Sequence, residues 1–483
     1  MARSRADNEI GIDEWVAKAT ERTGRQDRAL MLVRSVFGEG PSLAGLAVFG
    51  ALAALYPLAA PDDYMVRVGI NVLLLALLTL GLNITFGWAG VLDLGFVAFY
   101  GLGAYTYAFL SSNQFGIHLP TVMTLAIVTI SAAIMALILG LPSFRLVGDY
   151  LAILTLFFAQ IFVELGNNLD RLTPPWSDST LDITGGPDGI VELDPFRFLG
   201  VEFTGMFHYY YLLTALVILA VIGLRNLNRS RTGRGWRSLR EDFIAAEHMT
   251  MPVKRLRLTA YIFGAVSASI AGSVFAAVQT GVFPINFEVT FLIVIYTALV
   301  LGGSGSIAGA IVGAIVIGTV PEVLRSPTPA RWLFYGALAI GLLAKVRPWP
   351  RLASVVAGVL GFSWIVRAIL TSLWADSIAV RSDAGFLNDL VSRWVVVLTE
   401  NQLVIGNLAF VLMLAAILLI SMLRSWPQIV ILIPTLYLAA FVWENRLVDN
   451  PSITRQLLFG ATLVVMMTIR PHGLLGKPRV ERW

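Results

Sequence analysis

The sequence predicts an all-α polytopic membrane protein, and three observations carry that prediction. Hydrophobic residues make up 57% of the chain and charged residues only 14%, where a soluble domain carries about 25% charged residues. Apolar stretches near the ~20 residues that cross a bilayer recur from residue 43 to residue 470. Basic residues gather in alternate loops, as they do on the cytoplasmic side of a membrane. A mean hydropathy of +0.76 agrees. The chain has no cysteine, which excludes disulfides, thiolate chemistry and cysteine-ligated metal. Its histidines, His118, His208, His248 and His472, show no metal-ligand spacing. The net charge of +4 calls for no nucleic acid, because Arg and Lys at span ends facing anionic lipid account for it.

Residues 1–42 form a cytoplasmic N-terminal arm. It mixes seven basic and seven acidic residues and lacks the apolar core of a signal peptide. Within it, 7–28 fits either an amphipathic helix on the inner surface or a partly disordered arm. Candidate spans then follow at about 43–60, 66–86, 90–111, 121–141, 146–166, 207–224, 258–280, 287–303, 306–324, 331–346, 352–373, 403–423, 426–443 and 454–470. About ten belong to a core and about four are inserted late. Glu164 and Glu322 fall near span ends and read as interfacial.

Charge fixes the topology. The 225–257 loop carries nine Lys or Arg against three acids, so it stays inside, and both termini follow it to the cytoplasm. The turns at Arg145, at Lys345, Arg347 and Arg351, and at Arg424 then also fall inside. The 167–206 loop falls outside with two basic residues against seven acids. Its turns, Thr173-Pro174-Pro175 and Gly185-Gly186-Pro187-Asp188-Gly189, fit a docking surface for an extracytoplasmic partner or a capping loop with a short helix. The 374–402 and 445–453 loops fall outside as well.

The 225–257 loop is too patterned for a plain connector. A short helix is expected over Leu239–Met251, ended by Pro252. Phe243, Ala245 and Ala246 give it a small apolar face, and Arg240, Glu241, Asp242 and Glu247 give charged edges. Leu301-Gly302-Gly303-Ser304-Gly305-Ser306 lacks the Gly-Lys-Ser/Thr ending of a nucleotide loop and reads as a tight turn between spans. Gly476-Lys477-Pro478 fails the same pattern, so ATP chemistry has no motif on this chain. Late in the sequence, Arg331–Gly336 leading to Arg347-Pro348 parallels Arg455–Gly460 leading to Arg470-Pro471. That fits a duplicated terminal span or convergence among apolar segments.

Several segments in order carry a family resemblance. Arg234-Gly-Trp-Arg-Ser-Leu-Arg-Glu-Asp-Phe-Ile-Ala-Ala-Glu-His-Met249 looks like the coupling loop of ABC importer permeases, whose signature centres on Glu-Ala-Ala. Gly81-Leu-Asn-Ile-Thr-Phe-Gly-Trp-Ala-Gly90 with Val91–Tyr105, Gly148–Leu156, Gly185–Ile190, Leu301–Gly309 and Arg470–Gly476 resemble the LivM-type permease subunit of branched-chain amino-acid importers. Two departures stand out. Thr250 occupies a place near which the family usually has Gly. About four spans separate the two Arg-Pro stops, where the family has one terminal span pair.

The resemblance implies a permease core at 43–347, an accessory insertion at 348–453, and a terminal helix with a cytoplasmic tail at 454–483. It implies a transporter subunit of the bacterial inner membrane and no enzyme. The implied cargo is branched-chain or other hydrophobic amino acids, with urea or short amides as the alternative within the family. The implied partners are a homologous permease, two cytoplasmic ATPases that bind ATP and Mg, an extracytoplasmic solute-binding protein and membrane lipid. Arg240, Glu241, Ala245, Ala246 and Glu247 would couple to the ATPase. Two rivals come from other classes: an ion-coupled secondary transporter, with Asp93 as its thin support, and a membrane-embedded enzyme, against which the scattered histidines and the lack of cysteine argue.

Asp93 is an ionisable residue inside a candidate span, costly in lipid and usually set against a pore or a partner. Two readings stand for its segment. Asn83, Trp88, Asp93 and Tyr105 border the substrate path, or the surrounding glycines are packing surfaces and Asp93 caps a helix start.

Overall fold

The computed structural model of the chain describes residues 43–59, 62–143, 150–171, 182–198, 200–323, 349–373, 402–422 and 426–449, with shorter pieces within 331–343 and at 394–396 and 473–475. The arm at 1–42 and the candidate span at 454–470 lie outside the described residues, and the candidate span at 331–346 is described only in part. Among the described residues, seven helices are long and apolar enough to cross a membrane, and shorter apolar helices accompany them. The chain forms two compact units, one running to Thr319 and resuming at Val465, the other Val320–Val464.

In the first unit, α1 (Leu43–Ala59) and α2 (Asp63–Leu82) lead into a π-helical turn, Asn83–Trp88. Then come α3 (Phe96–Ser111), α4 (Thr121–Ser143), α5 (Tyr150–Asn168) and α6 (Met206–Arg229). The basic loop folds as α7 (Arg231–Glu241) and α8 (Phe243–His248). After it run the long α9 (Val253–Gln279), α10 (Val289–Gly302) and α11 (Ile307–Val323), the last of which belongs to this unit as far as Thr319. The candidate span at 90–111 is thus helical only from Phe96, because Ala89–Gly95 is irregular. Such backbone at membrane depth is tolerated only when protein encloses it, and Ala89, Val91 and Asp93 are buried.

The centre of this unit is α9, which packs on α3, α4 and α2. Lipid gives helices little reason to bury apolar surface, so close approach and hydrogen bonds hold them together. The buried face of α9 is accordingly small, with Gly264, Ala265, Ala268, Ser269, Ala271 and Gly272. A Cβ at Gly272 would collide with the Tyr100 carbonyl, and one at Gly103 with the Ser269 backbone. The Ser269 hydroxyl donates to the Phe99 carbonyl at 2.7 Å, and the Thr79 hydroxyl of α2 donates to Ala310 O of α11 at 3.1 Å.

The 182–205 part of the acidic loop closes one end of this unit. It holds a 3₁₀ turn at Gly186–Asp188 and three short strands, β1 (Ile190–Val191), β2 (Arg197–Phe198) and β3 (Val201–Glu202). β1 pairs antiparallel with β4 (Gly281–Val282), which follows α9. β2 and β3 form a hairpin. Ser112 bridges to Leu193, Tyr107 donates to Asp194 O at 2.5 Å, and His118 meets the Asp194 carboxylate at 2.6 Å. These bonds tie the loop to the ends of α3 and α9.

The second unit contains α12 (Trp349–Leu373), α13 (Gln402–Met422) and α14 (Trp426–Asp449). α14 packs against both others, around Val395, Val396, Ala409, Tyr437, Ala440 and Phe441. Arg331 and Glu444 form an ion pair inside it at 3.0 Å, their side chains 2% and 0% exposed. The Tyr335 hydroxyl donates to Glu444 Oε1 at 3.3 Å. Outward faces are apolar, with Leu360, Trp364 and Ile365 on α12 and Leu408, Val411 and Leu412 on α13.

Candidate functional site

The expected helix Leu239–Met251 is broken at Asp242. Asp242 is extended (φ −151°, ψ 106°) and its carboxylate accepts from the Ala245 N–H at 2.9 Å. Asp is a better N-cap than helix-interior residue, so the chain ends α7, turns and starts α8. The turn rotates the second helix. Ala246 faces inward, 5% exposed, against Leu239, Val253 and Leu256. Glu241, Ala245 and Glu247 are exposed. Ile244 and Met249, 66% and 75% exposed, supply an outward apolar surface.

α7 is braced against the rest of its loop. Ser230 caps it by accepting from the Gly233 N–H at 3.2 Å. Arg234 donates to Arg229 O at 2.8 Å and Arg237 to Asn228 O at 3.2 Å. Trp236 is fully buried. Its indole donates to Leu256 O at 2.8 Å, and its ring stacks on Trp88 with centroids 6.4 Å apart.

Arg240 turns away from the loop surface into the core. One terminal nitrogen donates to the Gly87 carbonyl, and the other donates to Ser304 Oγ at 3.0 Å. Ser304 lies in the turn between α10 and α11, where Gly303 (φ 117°) and Gly305 (φ 89°) hold conformations that favour glycine. Asn83 Oδ1 accepts from the Gly305 N–H at 2.7 Å, and Trp88 Nε1 donates to Gly305 O at 3.0 Å. From the far end of the chain, Leu474 N–H donates to Leu301 O at 2.8 Å and Leu475 N–H to Gly302 O at 2.9 Å. These two bonds satisfy carbonyls that the end of α10 leaves open. The glycine turn is therefore a junction joining the π-helical turn, the basic loop, α10 and the 473–475 segment. Asn83 and Trp88 take the Gly305 N–H and carbonyl, and Arg240 takes the Ser304 hydroxyl.

Asn83, Trp88, Asp93 and Tyr105 are all buried, 0%, 2%, 1% and 4% exposed, and divide among three environments. Asn83 and Trp88 hold the glycine turn. Asp93 Oδ1 accepts from the Gly95 N–H at 2.9 Å, just before α3. The Tyr296 hydroxyl donates to Asp93 O at 2.7 Å and accepts from the Asp93 N–H at 3.1 Å. Tyr105 sits among Phe109, Phe162 and Phe287. Asn83 Nδ2, Asp93 Oδ2 and the Tyr105 hydroxyl oxygen are buried without a hydrogen-bond partner among the described residues.

Among the described residues, no group of His, Asp or Glu has the clustering that would hold a metal ion. Sequence reading missed Ile244 and Met249, although their apolar character in a charged loop was a usable signal. It also missed that Arg240 points inward, which no spacing rule reveals.

Comparison with known proteins places the chain in a family. The profile described as "Branched-chain amino acid transport system / permease component" matches residues 64–360. The chain is 32% identical over 343 residues to the high-affinity branched-chain amino acid transport system permease protein LivM of Escherichia coli (strain K12), covering 63% of this chain and 77% of that one. It is 26% identical over 298 residues to a probable branched-chain amino acid transport permease protein LivH of Methanocaldococcus jannaschii, covering 60% and 90%. It is 26% identical over 311 residues to an autoinducer 2 import system permease protein LsrC of an Enterobacter species, covering 62% and 84%. No solved structure matches the chain. The chain belongs to the permease-component family of branched-chain amino acid transport systems, and is a multi-pass permease subunit of an ABC importer.

Proposed function

We propose that this permease imports branched-chain or other hydrophobic amino acids across the bacterial inner membrane, and that the 225–257 loop is where ATP-driven motion enters it. A homologous permease completes the path, two cytoplasmic ATPases bind ATP and Mg, and an extracytoplasmic solute-binding protein delivers the cargo. Hydrolysis belongs to the ATPases. What this chain contributes is a difference in contacts between two states, which coupling requires.

The observation that carries this reading is the Arg240 clamp. The outward surface on and beside α8, with Glu241, Ile244, Ala245, Glu247 and Met249, offers a partner apolar area rimmed by charge. Arg240, with Trp236 stacked on Trp88, ties that surface to the π-helical turn and to the end of α10. Ala246 supports the arrangement from inside, by closing α8 onto Leu239 and Val253. The orphaned atoms of Asn83, Asp93 and Tyr105 fit the same scheme. Each buried unpaired polar group is destabilising, and a state that opens this segment to a wet path relieves it.

The test is purification from the native membrane in mild detergent, with mass spectrometry of what accompanies wild type and Ile244→Asp. The expected result is a second permease and P-loop ATPases with wild type, and loss of the ATPases alone with the variant. An intact complex that never contains an ATPase overturns the reading. Uptake of labelled leucine, isoleucine and valine, against urea and short amides, decides the cargo.

A further inference from the structure

Most of the outward helical surface is apolar. The exposed face of α4 carries Ile130, Ile134, Ile138 and Leu141, a surface suited to lipid tails. The start of α10 departs from this pattern. Glu288 and Thr290 are exposed there and Asn286 is half-buried. They rim an open groove of about 340 Å³ whose wall includes Tyr100, Phe275 and Phe291. Small-ligand sites begin at about 300 Å³.

Glu288 stands within the span. The 14 residues of α10 rise about 21 Å, short of the ~30 Å hydrocarbon thickness. Phe287, its neighbour, packs on Tyr105 and Tyr100. These lie about 10 and 18 Å along α3 from Ser112, where the helix end meets the acidic loop. Glu288 precedes the first turn of α10 but its side chain accepts no capping hydrogen bond from it. A carboxylate facing lipid at that depth is costly, so this face turns toward water or protein.

We propose that this groove is a substrate station on the translocation path, where Glu288 receives the ammonium group of an amino acid and the Tyr100, Phe275 and Phe291 wall receives its aliphatic side chain. The inference rests on the amino-acid cargo argued above. An ammonium has only donors to offer, and Glu288 supplies the acceptor of opposite charge beside an apolar wall. The other end of α10 is the glycine turn that Arg240, Asn83 and Trp88 hold. The station and the coupling loop therefore occupy the two ends of one helix.

The chain has no cysteine, so a single introduced thiol is read without background from this subunit. In the complete importer in native membrane vesicles, Thr290→Cys is treated with a charged, membrane-impermeant methanethiosulfonate, and modification of this subunit is followed by mass spectrometry. Ile134→Cys on α4 is the lipid-facing control. Thr290→Cys is expected to react and the control to stay unmodified. Saturating leucine is expected to slow the Thr290→Cys reaction about tenfold, and adding Glu288→Gln is expected to abolish that protection. Glu288→Gln alone is expected to lower leucine uptake about tenfold while the ATPases remain bound. No reaction at Thr290→Cys, reaction without protection, or undiminished protection with Glu288→Gln each overturns the station. Failure of the cargo reading is separate, since wild-type vesicles would then take up none of the branched-chain amino acids.

Discussion

Arg240 donates to Ser304 Oγ at 3.0 Å across 64 positions of sequence, and this contact joins the surface loop to the turn that ends α10. The same guanidinium also reaches the Gly87 carbonyl. Hydrogen bonds from a charged donor contribute about 1.5–3 kcal/mol each. Arg240→Ala removes both while leaving the outward surface of α8 in place. The expected result is an importer that keeps its ATPases but loses about tenfold or more in uptake, the scale of a typical coupling free energy. Arg240→Lys should not restore it, because a single ammonium cannot reproduce the planar fork. Uptake measured beside ATPase stoichiometry checks this, and wild-type uptake by Arg240→Ala would refute the clamp.

Thr250 follows α8 with φ 60°. That left-handed conformation is common after a helix but is normally taken by Gly, since a β-branched side chain is strained there. The resemblance to the LivM-type subunit places a Gly near this position, so the departure has a structural cost. Thr250→Gly is expected to stabilise the folded chain by about 1 kcal/mol. A higher midpoint of thermal unfolding in detergent is the readout, and an unchanged or lower midpoint counts against strain at this turn.

The α3–α9 contact leaves no room for a methyl group at Gly272, where a Cβ would run into the Tyr100 carbonyl. Overpacking at such a site costs about 1–3 kcal/mol. Gly272→Ala is therefore expected to lower folded yield, whereas Gly223→Ala on α6, with open space around it, should be silent. Gly223 sits mid-helix, so any change there should be a small gain in helix propensity. Equal yields for the two variants would mean that the helices shift apart at little cost.

How much of this was legible in the sequence depended on which signals are additive. Span-length apolar stretches and the charge of the 225–257 loop sum over many residues, so the membrane class was readable, and the family was readable only through ordered motifs such as Gly81–Gly90 and Leu301–Gly309. Phase was not. One capped break at Asp242 turned Ala246 inward and brought Ile244 outward, although Asp at a helix start is a signal that could have been weighed. Long-range pairing was not readable either, because nothing local links Asn83 to Gly305 or Arg240 to Ser304. Glu288 was passed over inside the candidate span 287–303, where the apolar residues around it set the average. Asn286 and Thr290 beside it were the clue that this face does not meet lipid.

The ion pair inside the second unit makes the sharpest quantitative prediction. Arg331 Nε lies 3.2 and 3.0 Å from the two oxygens of Glu444, with both side chains shut away from solvent. Taking the two charges out of water is expensive, so the pair is a poor source of net stability while intact. Breaking it is different. Glu444→Gln removes the carboxylate charge that the buried Arg331 faces and leaves the Tyr335 hydroxyl with a weaker acceptor, and is expected to cost about 3–5 kcal/mol. Arg331→Met combined with Glu444→Leu removes both charges, fills the same space and should recover most of that loss. Thermal unfolding of the wild type, the single variant and the double variant in one detergent measures the difference. If the double variant is as unstable as Glu444→Gln, then shape complementarity at Arg331 and Glu444, and not charge, holds that part of the unit together.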